Sequence, residues 1–211
     1  MIREIAIYIE GGGYTGQTLI PFRTGMLAFL KPFIDEVRRR RIRCNVVACG
    51  GRHEAYNAFV NKLRREPEVY SVLLVDAEEP VAKDASPWTH LAGRKGDHWD
   101  CPEGADDARC HLMVVTMEAW FLADPAALKK HFGGHLDEKK LPPADQAETR
   151  PKSVIEDALR QATRNTKAGE YRKIRDGAKL LATIDPTAVR KHCKWCDRLF
   201  SELGKAIGAK I

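Results

Sequence analysis

Two apolar segments, each ending in an acidic residue, constrain the fold of this chain more than any other feature. Residues 5–9 read Ile-Ala-Ile-Tyr-Ile and are followed by Glu10 and three glycines, and residues 72–75 are followed by Asp76. Continuous apolar runs rich in Val and Ile are typical of strands that are buried on both faces. Helix-like sequence follows each run, which favours a parallel sheet. In open parallel sheets, ligands bind beyond the carboxyl ends of the strands, where both acids lie.

Strand and helix signals along the chain extend this pattern. The predicted strands are residues 4–9, 42–49, 70–75 and 111–116. Helical periodicity covers residues 18–40, with Pro21 in the first turn, and we expect Pro32 to kink or split this helix. A second helix is predicted at residues 53–65. Residues 79–110 form a long irregular segment that starts beside the acids, so this segment is a candidate to cover the site.

The last third of the chain is helical and basic. Helical patterns occur at residues 117–124, 128–132, 152–164, 170–182, 186–192 and 195–207. We therefore predict an α/β protein with a central, mostly parallel four-stranded sheet flanked by helices in residues 1–125. Residues 126–211 are predicted to form a basic helical region that packs on this domain.

Composition excludes several classes of protein. The 211 residues are 44% hydrophobic and 30% charged, which is ordinary for a soluble globular chain. No apolar run approaches the length of a transmembrane helix, so we expect no membrane partner. The N-terminal sequence lacks a signal-peptide pattern, and the six cysteines are scattered rather than framed as a disulfide scaffold. These features predict a cytoplasmic location.

The net charge of +6 is unevenly distributed. Residues 150–211 contain 15 of the 35 Lys and Arg residues but 7 of the 29 Asp and Glu residues, a balance of +8, so the rest of the chain carries −2. A near-neutral front part with a basic tail suits a polyanion, which makes nucleic acid the expected partner. A solvated helical surface that happens to be basic is the alternative.

The glycine run after the first strand allows three interpretations. The pattern Gly11-x-Gly13-x-x-Gly16 is that of dinucleotide-binding sites. Such sites need an acid at the end of the second strand, which is missing here, and Glu10 would repel a pyrophosphate. The run also resembles a P-loop in which Gln17 replaces the lysine that reaches the phosphates. A tight turn without a ligand is the third interpretation.

A metal site explains more of these residues at once. The candidate catalytic residues Glu10, Asp76 and Glu78 follow the first and third strands, which can end close together in a right-handed βαβ arrangement. Asp76 and Glu78 alternate, so both can reach one side of an extended chain. Three carboxylates provide the oxygen ligands that Mg²⁺ and Mn²⁺ prefer. Such metals polarise a phosphoryl oxygen and activate water, which predicts phosphodiester chemistry.

Further residues extend this candidate site. Glu118 follows the fourth strand and is a candidate fourth metal ligand, with an ordinary role near a helix start as the alternative. The candidate phosphate-binding residues are Gly11, Gly12, Gly13, Arg23, Arg52, Lys152, Lys167, Arg172 and Lys173. We expect the basic residues of segment 152–175 to face the acids, with Tyr171 available to stack on a base. Trp120 and the two residues after it are predicted to belong to the core.

These motifs resemble the Toprim signature, in which one strand ends in Glu-Gly and a later strand ends in Asp-x-Asp. The pattern here is Glu10-Gly11 and Asp76-Ala77-Glu78, so Glu78 departs from the usual second Asp. Toprim proteins include topoisomerases, bacterial primases and the overcoming-lysogenization-defect nucleases. The resemblance implies a Toprim/Rossmann-like fold and metal-dependent phosphodiester chemistry. The longer side chain of Glu78 leaves the number of metals open.

The chain as a whole resembles an uncharacterised bacterial Toprim-like family that is known only as a domain of unknown function. This resemblance covers most of the chain and is carried by residues 7–13, 49–52, 74–78, 87–88, 111–114, 117–124 and 167–171. Genes of such proteins often neighbour ATPase genes in mobile or defence regions. The resemblance therefore implies an ATPase partner.

The cysteines offer an alternative metal site. The residues concerned are Cys193, Cys196, His192, Cys101, Cys110 and His111. A single CxxC pair without a matching second pair is a weak zinc signal, and free, partly buried cysteines are the better interpretation.

Two hypotheses of function follow from the sequence. The first is a Mg²⁺- or Mn²⁺-dependent nuclease that hydrolyses phosphodiester bonds. The second is a non-catalytic adaptor that binds nucleic acid or a nucleotide through its basic tail and works with an ATPase, in which case the acids would be vestigial.

Overall fold

The computed structural model describes residues 2–211 and contains one four-stranded parallel sheet. Its strands are β1 (Glu4–Ile9), β2 (Arg43–Ala48), β3 (Tyr70–Asp76) and β4 (Cys110–Met113). The order in the sheet is β2-β1-β3-β4, and Ile7 of β1 is paired with Val46 on one side and Val72 on the other. The α/β class and the parallel sheet are confirmed. Because β1 and β3 are neighbours, the acids at their carboxyl ends meet.

Helices cover both faces of this sheet and make up most of the C-terminal part. They are α1 (Gly16–Phe29), α2 (Lys31–Arg39), α3 (Arg52–Arg65), α4 (Pro87–Gly93), α5 (Glu118–Leu122), α6 (Pro125–Phe132), α7 (Lys152–Thr163), α8 (Lys173–Leu181), α9 (Pro186–His192) and α10 (Lys194–Ala206). Short 3₁₀ helices lie at Asp107–Arg109, Glu138–Lys140 and Ala144–Gln146. No helix in this described range is long and apolar enough to cross a membrane.

The long predicted helix at residues 18–40 is split in two. Leu30 separates α1 from α2, and Pro32 lies in the first turn of α2, where its missing N–H costs little. The prediction of a break at Pro32 is therefore confirmed. Placing Pro21 in a first turn was wrong, because α1 already begins at Gly16 and Pro21 lies inside it.

The segment at residues 79–110 is less irregular than predicted. It contains α4, whose N-terminus is capped by Ser86, since the Ser86 hydroxyl accepts a hydrogen bond from the Thr89 N–H at 3.2 Å. Trp99 is buried and stacks on Tyr56 of α3, with ring centroids 4.2 Å apart. The segment thus packs on α3 and is a fixed part of the fold. β4 ends at Met113 rather than at residue 116.

One apolar core connects the sheet to the C-terminal helices. The Trp120 ring is fully buried and stacks on Phe29 at 4.7 Å, and the Phe29 ring meets Phe200 of α10 edge-on at 5.8 Å. Phe121 and Leu122 are also buried, which confirms the prediction that residues 120–122 belong to the core. This core contains residues from both sides of position 125. The domain boundary predicted at residue 125 stays a prediction.

Candidate functional site

Three carboxylates meet where β1 and β3 end. Glu10, Asp76 and Glu78 each offer an oxygen atom, and these atoms all lie within 4.8 Å of one another. Glu10 directly follows β1, whose residue Ile9 is paired with Leu74 of β3. The expected alternation along an extended chain does not explain the position of Glu78, which has a left-handed φ of 67°. The turn after β3 brings its carboxylate back towards the other two.

Backbone and hydroxyl groups hold two of these carboxylates in place. One carboxylate oxygen of Glu10 accepts a hydrogen bond from the Asp76 N–H at 3.0 Å. Asp76 accepts a hydrogen bond from the Met117 N–H at 2.8 Å, and its other carboxylate oxygen lies 3.2 Å from the Thr116 hydroxyl oxygen. Thr116 and Met117 lie in the turn between β4 and α5. This turn fixes the Asp76 carboxylate and exists because β4 stops early.

Two lysines from the C-terminal helices contact the acids directly. Lys152 of α7 donates to both carboxylate oxygens of Glu78 at 2.8 Å each. The Lys173 ammonium of α8 lies 3.2 Å from Glu118 and 3.5 Å from Asp76. Both lysines were expected to face the acids, and the structure places them there.

Arg52, at the start of α3, is the third cation of the site. Its guanidinium lies 3.5 Å from Glu10 and 3.6 Å from Glu78, and it donates to the Asp76 carbonyl at 3.2 Å. The buried Asp97 accepts two hydrogen bonds from Arg52, at 2.9 and 2.6 Å, and holds the guanidinium in this orientation.

Glu118 lies one step behind the three-carboxylate cluster. Its carboxylate is buried and accepts hydrogen bonds from the Tyr171 hydroxyl at 2.9 Å and the Thr116 hydroxyl at 2.7 Å. Glu118 shares Thr116 and Lys173 with Asp76 but is not one of the residues whose oxygens come within 4.8 Å of each other. The geometry makes it a residue that positions Lys173 rather than part of the cluster. Tyr171 is buried against it, so the expectation that this ring is available to stack on a base was wrong.

Burial and mutual repulsion set the protonation of the acids. Burial, followed by the charge of Asp76, raises the pKa of Glu10 to about 7. Burial also raises the pKa of Asp76 against the opposing effect of Lys173. For Glu118 burial acts in the same direction, but the charge of Lys173 and the hydrogen bonds from Thr116 and Tyr171 lower its pKa overall. Burial disfavours the charged form of Lys173, yet Asp76 and Glu118 raise its pKa above the ordinary value.

Two glycine loops line a cavity of 480 Å³ that opens onto the acids. The Gly11 N–H donates to the Gly50 carbonyl at 2.8 Å, and the Gly50 N–H donates back at 3.1 Å. Gly11 has a φ of 126°, and a Cβ there would lie 2.6 Å from the ring of Phe22. Glycine is therefore required at this position, where the chain passes close to an aromatic ring. Gly12 and Gly13 line the same cavity.

The sequence also has a clear family relationship. The family model described as a domain of unknown function, DUF4276, matches residues 24–204. The chain belongs to the DUF4276 family. No curated protein and no solved structure matches it. Membership confirms the resemblance to an uncharacterised family. The relationship to Toprim proteins stays a prediction.

Within residues 2–211, three of the candidate phosphate-binding residues of this DUF4276 chain form no ion pair with the carboxylates of the site. Arg23 donates to the Val46 carbonyl of the edge strand β2 at 2.7 Å and lines a different cavity. Lys167 and Arg172 are exposed, and Arg172 uses its backbone N–H to bind Asp176 at 2.8 Å. The structure therefore brings Gly11–Gly13, Arg52, Lys152 and Lys173 together with the acids.

The cysteines of this DUF4276 chain do not assemble a metal site. Cys193 and Cys196 are buried in the core, and burial raises the pKa of both thiols above the ordinary value. Among residues 2–211, the carboxylates of Glu10, Asp76 and Glu78 form the one group of His, Cys, Asp or Glu side chains that could hold an ion. The interpretation of free cysteines agrees with the structure, in which all six are unbonded.

Residues that the sequence did not suggest complete the site. Asp97 lies in the segment before β4 and holds Arg52 from 45 positions away, and no motif around it signals this role. Thr116 and Met117 bind Asp76. A hydroxyl and a free N–H just after a buried strand are a signal that could have found these two, since such groups lie at the carboxyl edge of the sheet.

Proposed function

We propose that this chain is a Toprim-like enzyme that uses Mg²⁺ or Mn²⁺ to hydrolyse phosphodiester bonds in nucleic acid. The observation that carries the proposal is the convergence of Glu10, Asp76 and Glu78 within 4.8 Å at the ends of adjacent parallel strands. The donor set consists of carboxylate oxygens alone, which suits hard divalent cations rather than zinc or copper. The likeness of Glu10-Gly11 and Asp76-Ala77-Glu78 to the Toprim signature gives further support.

The charge balance of the site fits a divalent cation. The four carboxylates Glu10, Asp76, Glu78 and Glu118 face the three cations Arg52, Lys152 and Lys173, while Asp97 is also paired with Arg94. When the four carboxylates and the three cations are all ionised, their net charge is −1. One divalent ion changes this net charge to +1. An anionic phosphodiester would then be attracted rather than repelled.

In this mechanism the three clustered carboxylates would hold the ion and the basic side chains would hold the substrate. A bound divalent cation supplies Lewis acidity to a phosphoryl oxygen and promotes the ionisation of water. Lys152 and Arg52 both contact the Glu78 carboxylate. A phosphate oxygen bound beside this carboxylate would lie within reach of both cations and could replace it as their partner. Glu78 would act as a ligand or as the general base. Gly11–Gly13 leave room for the phosphate backbone.

A second function is favoured by the same ion pairs. Each acid of the site already has a basic partner, as a purely structural network would have. In that case the chain is a non-catalytic module that binds nucleic acid or a nucleotide and works with an ATPase partner. The two functions differ in metal binding, which only the enzyme requires.

Titration calorimetry with Mn²⁺ separates these functions. We expect the unaltered protein to bind Mn²⁺, and Glu10→Gln to weaken binding about 100-fold or more, since even the loss of a residue that supports a metal ligand can cost that much. Glu79→Gln is the matched control, because Glu79 is an exposed neighbour of Glu78 outside the cluster and its loss should change nothing. Mn²⁺-dependent cleavage of mixed DNA and RNA substrates is assayed in parallel. Absence of Mn²⁺ binding at millimolar concentration would favour the adaptor.

Mn²⁺ affinity is expected to depend on pH through Glu10. The carboxylate must lose its proton to bind a cation, and its pKa is about 7. Affinity should therefore be level well above pH 7 and fall by at least about tenfold for each pH unit below it, since the pKa of the clustered Asp76 is raised as well. Calorimetry between pH 5.5 and 8.5 measures this slope. Glu148→Gln serves as the control, since burial raises the pKa of Glu148 to about 7 as well, but its carboxylate binds the Trp195 N–H at 2.9 Å. A slope that disappears in this variant would contradict the assignment to Glu10.

A further inference from the structure

The cavity beside the acids is lined by two chemically different kinds of residue. The charged ones include Glu10, Glu54, Asp76, Arg52 and Lys173, and the apolar ones are Tyr14, Phe22, Met117, Ile174 and Ala178. A volume of 480 Å³ lies in the range of cavities that bind small molecules or parts of larger ones. An occupant that combines an anionic group with a flat or apolar group would match both kinds of lining residue.

Two of the apolar lining residues, Tyr14 and Ile174, are unusually exposed to solvent. The Tyr14 side chain is 80% exposed and Ile174 is 56% exposed, and they are two of the four large apolar side chains exposed in residues 2–211. The Tyr14 ring lies next to the glycine pair Gly50 and Gly51, since a Cβ built on Gly50 would be 3.4 Å from the Cδ1 atom of Tyr14. Ile174 approaches Gly13, where a Cβ would lie 3.4 Å from the Ile174 Cδ1 atom. One face of the tyrosine ring therefore remains open for stacking.

From this geometry we infer that the cavity binds one unpaired nucleotide, with its base against Tyr14 and Ile174 and its phosphate towards Arg52 and Lys173. Bases stack on exposed aromatic rings without regard to sequence, and the Tyr14 ring is 80% exposed. A base inside a duplex cannot enter a concave site of this kind, because it is paired and stacked on both sides. The inference rests on the proposed function for the phosphate end and assigns the substrate class as single-stranded nucleic acid.

Calorimetry with AMP and ribose 5-phosphate in the presence of Mn²⁺ isolates the contribution of the base, because neither compound has a phosphodiester bond to cleave. We expect AMP to bind about tenfold tighter than ribose 5-phosphate. Tyr14→Ala should abolish this difference, and Tyr14→Phe should retain it. Ile20→Ala is the matched control, since Ile20 is 69% exposed on α1 but lines a different cavity. Mn²⁺ affinity should be the same in all four proteins.

The source of the nucleotide is determined by competition with AMP. A single-stranded oligonucleotide should displace AMP, and the duplex of the same sequence should not. Equal affinity for AMP and ribose 5-phosphate, or a base contribution that survives Tyr14→Ala, would overturn the inference while leaving the metal site intact. Displacement by duplex as effective as by single strand would overturn the assigned substrate class. A base contribution without any Mn²⁺ binding would support the nucleotide site and refute the proposed metal enzyme.

Discussion

Replacing Asp76 with asparagine is expected to reduce Mn²⁺-dependent cleavage about a thousandfold without unfolding the protein. Asp76 is the buried member of the carboxylate cluster, so its charge is the least screened by water among the three proposed ligands. Loss of about 4 kcal/mol of transition-state stabilisation by the metal corresponds to this factor. Asparagine keeps the shape of the side chain and an oxygen that can accept the Met117 N–H. Initial rates on a labelled oligonucleotide measure the effect.

Thermal unfolding tests the second half of this expectation. Burial raises the pKa of Asp76, which means that the fold itself does not favour its negative charge. The asparagine variant should therefore unfold at the temperature of the unaltered protein or above it. Asp84→Asn, at an exposed position in the segment after β3, should leave both rate and stability unchanged. Cleavage by Asp76→Asn at the unaltered rate would show that the cluster is not the reaction centre.

Two of the three clustered carboxylates, Glu10 and Asp76, were predictable because their positions depend on where apolar strands end, whereas Glu78 is placed by a left-handed turn. Residues 5–9 and 72–75 contain no charged side chain, as is typical of strands buried on both faces. Glu10 and Asp76 were therefore expected at the ends of these apolar runs. Right-handed helical crossovers of a parallel sheet allow β1 and β3 to be neighbours, and the structure has them so. The end of β4 was predicted wrongly. Val114, Val115 and Thr116 are β-branched residues typical of a strand, but β4 ends at Met113 and Thr116 lies beside Asp76.

The partners of the acids were harder to predict because they come from distant parts of the chain. Lys152 meets Glu78 across 74 positions, and Lys173 meets Asp76 across 97. Nothing in the local sequence distinguishes these lysines from Lys167, which forms no ion pair with the acids in the described part of the chain. The distinction arises from how α7 and α8 pack, and α8 is positioned mainly by α1. Charge counting therefore identified the basic region correctly but could not say which members face the acids.

Gly25 is the residue that fixes α8 against α1, and Gly25→Val is expected to destabilise the protein by about 3 kcal/mol. A Cβ at this position would collide with the Ala178 carbonyl oxygen of α8 and lie 3.0 Å from the Cβ of Leu181. Helix backbones cannot yield locally, so the two helices must separate, and overpacking of this kind costs up to about 3 kcal/mol. The unfolding temperature should fall by about 6 to 12 °C.

The same separation should disturb the site, because α8 carries both Lys173 and Ile174. Lys173 lies 3.2 Å from Glu118, and a displaced helix would lengthen this contact and leave the buried Glu118 carboxylate less well compensated. Gly16→Ala provides the control in the same helix, since a Cβ there meets nothing within 4 Å. Differential scanning calorimetry of the three proteins measures the change in stability, and AMP titration measures the change at the cavity. A Gly25→Val protein as stable as the Gly16→Ala control would mean that α8 can adjust freely, and the fixed position of Lys173 beside Asp76 would then lose its structural basis.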